Sequence, residues 1–284
     1  MEWVTYMITL NEFKKNYNVF SYLEKNNNCE NNIIFLHGLS NNKYYYYSLI
    51  ETIDNYNCYA LDYRSHGKST SKGDYSLDSF SDDILSFISY LGLLDNYYIV
   101  ASSLSCWVVS NLEGKINPKG LIFLDGGYYS PSKLPSNTVE SIRLPIFKSL
   151  EEVNDLILED INSLKEEEIL LSKNEIQNIY NSLISTYKPV ENSNGAYSYI
   201  ISDNSFNGLV NDLNTRNINI LNNDNLILLL SDSKNNDRKN NSFLQKELKS
   251  NANKFHKIQT ISNSDHLMML TSIREVNEAI QTFF

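Results

Sequence analysis

The chain reads as an α/β protein built on a mostly parallel sheet with helices on both faces, and three observations lead there. Six apolar runs, at 33–36, 58–61, 97–100, 121–124, 226–230 and 258–261, are short enough to be buried strands. Helical patterns lie between them at 44–56, 77–91, 103–112, 243–250 and 273–284. Alternation of this kind implies right-handed crossovers and hence parallel pairing. The third observation is a serine placed where the 97–100 strand turns sharply into the 103–112 helix.

Taken in order, residues 6–23 read as an antiparallel hairpin at the edge of the sheet. The 33–36 strand runs into His37-Gly38-Leu39-Ser40, where a glycine lets the backbone turn and aim a main-chain N–H at a bound oxyanion. Tyr44 to Tyr47 fit the amphipathic start of a helix, with alternate rings facing core and solvent. The 58–61 strand continues into Asp62-Tyr63-Arg64-Ser65-His66-Gly67-Lys68-Ser69, a polar turn suited to bracing neighbouring loops.

The 97–100 strand leads into Ala101-Ser102-Ser103-Leu104-Ser105. In a nucleophile elbow, strand and helix nearly touch, so the residues two before and two after the serine must be small. Ser102 would put Val100 and Leu104 at those positions, and Ser105 would put Trp107 at one of them. Ser103 alone has small residues, Ala101 and Ser105, on both sides. The plainer reading is a serine-rich helix N-terminus capped by its own hydroxyls.

After the 121–124 strand and Asp125 comes the one interval that breaks the alternation. Residues 128–222 hold no strong buried-strand run, only helix-like stretches at 149–165, 166–169 and 175–187. Ligands of open α/β sheets bind beyond the carboxyl ends of the strands, so an insertion leaving that edge is placed to roof the site. The expected organisation is a core of 1–127 and 223–284 with a helical cap of 128–222. The last strand, 258–261, then leads through Ser262-Asn263-Ser264-Asp265 to His266.

Composition removes several classes of function. A formal charge of −10 without a basic cluster longer than a pair argues against a nucleic-acid groove. Three cysteines, Cys29, Cys58 and Cys106, show no C-x-x-C pairing, which suits free thiols in a reducing compartment and supports no zinc site. No apolar run is long enough to span a bilayer, and the first residues lack the pattern of a secretory leader, so the expected location is the cytoplasm. Without a G-x-G-x-x-G after an early strand, a dinucleotide-binding oxidoreductase is disfavoured.

The order of His37-Gly38, Asp62-x-Arg64-x-x-Gly67-x-Ser69, the Ser103 turn, the insertion and His266 resembles the α/β-hydrolase superfamily, in its cap-bearing serine hydrolase branch. The resemblance implies Ser103 as nucleophile and His266 as general base, with the backbone N–H groups of Leu39 and Leu104 as the oxyanion hole. It also calls for an acid after the 226–230 strand, where the register falls on Lys234. Asp237, at a family-like distance from His266, ranks first; Asp232, nearer the strand end, follows; Asp125 is a third option used by some relatives. His66 lies in the 62–69 turn, a segment the family uses structurally, and His256 precedes the last strand, on the wrong edge of the sheet. Asp265 is adjacent to His266, and neighbouring side chains in an extended turn point apart.

The implied activity is hydrolysis of a small ester, thioester or amide through an acyl-enzyme on Ser103, with no cofactor, no metal and a small-molecule substrate as partner. The alternatives are a lyase or C–C hydrolase on the same scaffold and a non-catalytic ligand binder, because fold does not fix reaction class.

Overall fold

The computed structural model describes residues 7–70, 72–134, 142–233 and 241–284. The chain begins with a hairpin, β1 (Thr9–Lys15) and β2 (Asn18–Lys25), turned at Asn16, whose φ of 54° is one that asparagine tolerates. Next come β3 (Asn32–Leu36), a 3₁₀ turn (Lys43–Tyr46) leading into α1 (Tyr47–Glu51), β4 (Asn57–Leu61) and α2 (Leu77–Tyr90). The first half ends with β5 (Tyr97–Ser102), α3 (Leu104–Ser110) and β6 (Gly120–Leu124).

The interval after β6 carries β7 (Ile146–Phe147), α4 (Leu150–Glu166), α5 (Lys173–Ile184), β8 (Tyr187–Pro189), β9 (Tyr197–Tyr199) and α6 (Asp203–Thr215). The sheet then resumes with β10 (Leu226–Ser231), α7 (Ser242–Asn251) and β11 (Lys257–Ile261), and the chain closes on α8 (Met268–Thr271) and α9 (Ile273–Phe283).

Eight strands form one sheet in the order β1-β2-β4-β3-β5-β6-β10-β11. Only the β1–β2 and β2–β4 pairs are antiparallel; the other five are parallel. This is the expected fold class. Side chains of each central strand alternate between the two faces. Ile34, Leu36, Ile99 and Leu228 join a core with α2 and α3, while Ile33, Phe35, Val100 and Leu229 join another with α1, α8 and α9. Burial on both faces explains the unbroken apolar runs.

Two local features differ from the sequence expectation. The interval between β6 and β10 is not purely helical: β7, β9 and β8 pair as a small antiparallel sheet. Strands of two or three residues are too short to carry a recognisable alternation. The helix expected over 44–56 is shorter and begins as a 3₁₀ turn, capped by Asn42, whose side chain accepts from the Tyr44 N–H at 3.0 Å.

Contacts join the interval between β6 and β10 to two loops at the carboxyl ends of β3 and β4. Asn42 donates to Ser185 O (3.1 Å) and Oγ (2.9 Å) just after α5, and Ser65 Oγ donates to Ser205 Oγ of α6 at 2.5 Å.

Candidate active site

Ser103 occupies the junction of β5 and α3 with φ 49° and ψ −115°, a conformation that L residues rarely hold. Its N–H donates to Leu124 O at 2.9 Å, and its carbonyl accepts from the Cys106 N–H at 3.0 Å, so both neighbouring elements fix the strained residue. Ala101 and Ser105 are buried, as the spacing requires. Ser105 has a polar role as well. Its Oγ donates to His37 O at 2.5 Å, which leaves the Tyr63 hydroxyl to donate to Ser105 Oγ at 2.8 Å.

Two glycines that crowd Ser103 lie outside the elbow sequence. A Cβ on Gly126 would meet Ser103 O at 2.7 Å and Ser103 Cα at 3.0 Å, and one on Gly38 would meet Ser103 Cβ at 3.3 Å. Reading the serine pentapeptide alone misses Gly126, although a glycine pair directly after Asp125 is a legible sign of close backbone approach.

His266 follows β11 in the loop before α8, and its Nδ1 lies 2.9 Å from Asp125 Oδ2. Asp125 leaves the end of β6 with a φ of 51°. Its carboxylate also accepts from the Ser231 N–H at 3.2 Å and the Ser231 hydroxyl at 2.9 Å. An Nδ1–H donated to Asp125 leaves the lone pair of a neutral imidazole on Nε2. Burial disfavours charge on both groups, yet their hydrogen bond and mutual attraction prevail: the Asp125 pKa is held below its ordinary value and that of His266 is lifted above its own.

The structure therefore brings together the third-ranked carboxylate and the histidine. Asp237, the first-ranked, lies outside the described residues. Asp232 is anchored by its backbone N–H, which donates to Ser264 Oγ at 3.2 Å. Asp265 turns away into α8, accepting from Leu267 N–H at 3.0 Å and Thr271 Oγ1 at 2.7 Å. Ser103 Oγ has no hydrogen-bond partner among the described residues.

Across from α3, the segment after β3 carries Leu39. Neither the Leu39 nor the Leu104 N–H donates to an acceptor among the described residues. Cys106, one turn along α3, is fully buried, and burial pushes its thiol well above the usual range. His37 and His66 are also buried, which drives both down to about 3 and keeps them neutral. Two surface clefts of about 320 and 350 Å³ lie elsewhere, one beside Glu168 and Arg274 and one between Tyr47 and Asn178; neither includes Ser103 or His266 in its wall. Among the described residues, no group of three or more His, Cys, Asp or Glu side chains is placed to hold a metal ion, and no helix is long and apolar enough to cross a membrane.

A parallel sheet of this strand order, with a strained serine after β5 and a histidine after the last strand, defines the α/β-hydrolase fold. The alpha/beta hydrolase fold family model matches residues 31–147, from β3 through the elbow to β7. The E-2-(acetamidomethylene)succinate hydrolase structure is similar with a TM-score of 0.69 and 15% identity, over 98% of this chain and 99% of that one. A thioesterase domain from the curacin biosynthetic pathway gives a TM-score of 0.71 at 14% identity, over 97% of this chain and 99% of that one. An esterase from Mycobacterium tuberculosis gives 0.65 at 16%, over 97% and 90% respectively. Comparison with curated proteins by sequence matches none. The chain has the α/β-hydrolase fold.

Proposed function

We propose that the protein is a serine hydrolase that cleaves a small ester, thioester or amide through an acyl-enzyme on Ser103. The observation that carries this reading is the pairing of a strained serine elbow with the 2.9 Å contact between His266 and Asp125 at the same edge of the sheet. A serine hydroxyl is too weak an acid to attack unaided, and a neutral imidazole in reach supplies the missing base. His266 Nε2 takes the Ser103 proton as Oγ attacks the carbonyl carbon, and then returns it to the leaving group. Water repeats the sequence to free the acid. Asp125 keeps the proton on Nδ1 and stabilises the imidazolium that forms. The Leu39 and Leu104 N–H groups receive the negative charge on the carbonyl oxygen.

The similar structures are an E-2-(acetamidomethylene)succinate hydrolase, a thioesterase domain and an esterase, which agrees with a hydrolytic reaction on this scaffold. The missing Ser103 hydrogen bond is compatible with this role, since such bonds often tighten only with substrate bound. The 128–222 insertion acts as the cap that shapes the acyl and leaving-group pockets, and the protein works in the cytoplasm without a cofactor.

The test is labelling with a fluorophosphonate probe. Native protein is expected to become covalently modified at Ser103, and Ser103→Ala to remain unmodified. Folded protein that stays unlabelled, or labels equally after Ser103→Ala, removes the hydrolase reading and favours a ligand binder.

A further inference from the structure

The loops after β3 and β4 exchange a reciprocal pair of hydrogen bonds through two buried imidazoles. His37, on the first loop, accepts the Tyr63 N–H of the second at Nε2 over 3.2 Å. His66, on the second, accepts the Ser40 N–H of the first at Nε2, also over 3.2 Å. An imidazole nitrogen that accepts an N–H must carry its lone pair there, so each ring holds its proton on Nδ1. Both Nδ1–H groups find carbonyls: His37 donates to Gly38 O at 2.8 Å and His66 to Arg64 O at 3.0 Å. The rings pack together with centroids 5.0 Å apart, and the His66 side chain is closed in by Tyr63 and Phe80.

Two consecutive peptide units of the first loop are thereby pinned from opposite ends. The Gly38–Leu39 unit is held by its carbonyl, which accepts from His37 and from the Asn41 N–H at 3.2 Å. The following Leu39–Ser40 unit is held by its N–H, which donates to His66. Ser40 needs that restraint because its φ is 63°, a left-handed conformation costly for a residue with a Cβ. If the Leu39–Ser40 unit rotated, Leu39 ψ and Ser40 φ would change with it, and the Gly38–Leu39 unit that carries the Leu39 N–H would lose the restraint on its far side.

We propose that His66 is a positioning residue of the hydrolytic site, which fixes the aim of the Leu39 N–H by accepting the neighbouring Ser40 N–H from the 62–69 turn. The inference rests on the reading of Leu39 as an oxyanion donor. His66 touches no reacting atom in this role. The residue whose carbonyl accepts the His66 Nδ1–H is itself tied down: the Arg64 guanidinium donates to Asp83 at 2.6 and 2.7 Å. Ser65 ties the same turn to α6 of the insertion. The oxyanion loop is thus held from a second loop that the insertion also grips.

The test compares His66→Phe, which keeps a ring but loses the acceptor, with His66→Gln, whose Oε1 reaches the same place. On an activated ester, His66→Phe is expected to lower kcat by about tenfold or more with KM little changed, since removing an oxyanion donor outright costs about 10²–10³. Affinity for a trifluoromethyl ketone, which forms the oxyanion on Ser103, is expected to fall by the same factor. His66→Gln should restore most of both. Hydrogen exchange at the Ser40 amide gives a readout independent of turnover: protection is lost in the Phe variant and kept in the Gln variant.

A His66→Phe protein with parental kcat and ketone affinity overturns the proposal. So does loss of kcat in step with KM and thermal stability and without rescue by Gln, since that pattern marks a purely structural residue. Absence of Ser103-dependent turnover in the parent is a separate result that removes the hydrolase reading, and the positioning role with it. Ser103-dependent turnover unaffected by either variant removes the His66 role alone.

Discussion

His266 Nδ1 has one proton to give, and Asp125 takes it. If that contact sets the tautomer, Asp125→Asn lowers kcat by several orders of magnitude, by analogy with the roughly 10⁴-fold loss in serine proteases when the orienting acid becomes its amide. Asp232→Asn and Asp237→Asn are expected to stay near parental. The pH profile adds a second signature. A general base works when neutral, so activity rises as pH passes upward through the His266 pKa, which the Asp125 contact lifts above its ordinary value. Residual activity in Asp125→Asn should therefore have its acid limb shifted to lower pH. Steady-state kinetics on one activated ester from pH 5 to 9 measures both, and collapse of Asp237→Asn with Asp125→Asn intact would move the acid. Sequence placed Ser103 and His266 at their strand ends because each follows an apolar run. It could not choose the carboxylate, because all three candidates follow strands and only the β6–β10 pairing brings Asp125 beside Ser231 and under His266.

Among the elements, the 3₁₀ turn before α1 depends on an ion pair with no exposure to solvent. Lys43 Nζ lies 2.5 Å from Asp62 Oδ2, and Asp62 also accepts the Lys43 N–H at 2.7 Å and the Lys68 N–H at 2.8 Å. Burial pushes the Lys43 ammonium below its usual range while Asp62 opposes the shift. Removing one member of such a pair strands a buried charge, so Lys43→Met is expected to cost about 3–5 kcal/mol in urea unfolding. Lys43→Met with Asp62→Asn should cost less than the sum of the single changes. A Lys43→Met cost below about 1 kcal/mol would show that the backbone N–H groups suffice for Asp62. The Asp62 position was legible as part of a polar turn. Its partner was not, since a lysine preceding four tyrosines gives no sign of burial and reaches Asp62 only through the β3–β4 pairing.

At the scale of the whole molecule, the buried histidines make stability depend on pH. His37 and His66 have folded pKa values of about 3 against an ordinary 6.5. Between those limits the unfolded chain binds more protons than the native one, so stability rises with pH and is lost as pH falls below about 6.5. Each histidine contributes at most about 1.4 kcal/mol per pH unit over that window. His266, raised rather than lowered, acts in the opposite sense: its contribution is full below its unfolded pKa and fades as pH rises through the folded value. Urea unfolding at pH 7 and pH 5 should show weaker native protein at pH 5, with a smaller difference in His66→Gln. Equal pH dependence in parent and variant would mean that His66 is not held neutral in the native state.

The sequence by itself determined the alternation of strands and helices, the edge hairpin, the break in that alternation after β6 and the small-residue spacing around Ser103. Those properties are local: burial on both faces writes an unbroken apolar run, and a tight strand-to-helix turn excludes large neighbours two residues away. Only the tertiary structure decided which carboxylate meets His266, which glycine makes room for Ser103, how β7, β8 and β9 pair and how two buried imidazoles lock neighbouring loops. Each of these depends on residues far apart in sequence meeting across adjacent strands. Asp125 and His266, for example, are 141 positions apart, and β10 lies between their strands in the sheet.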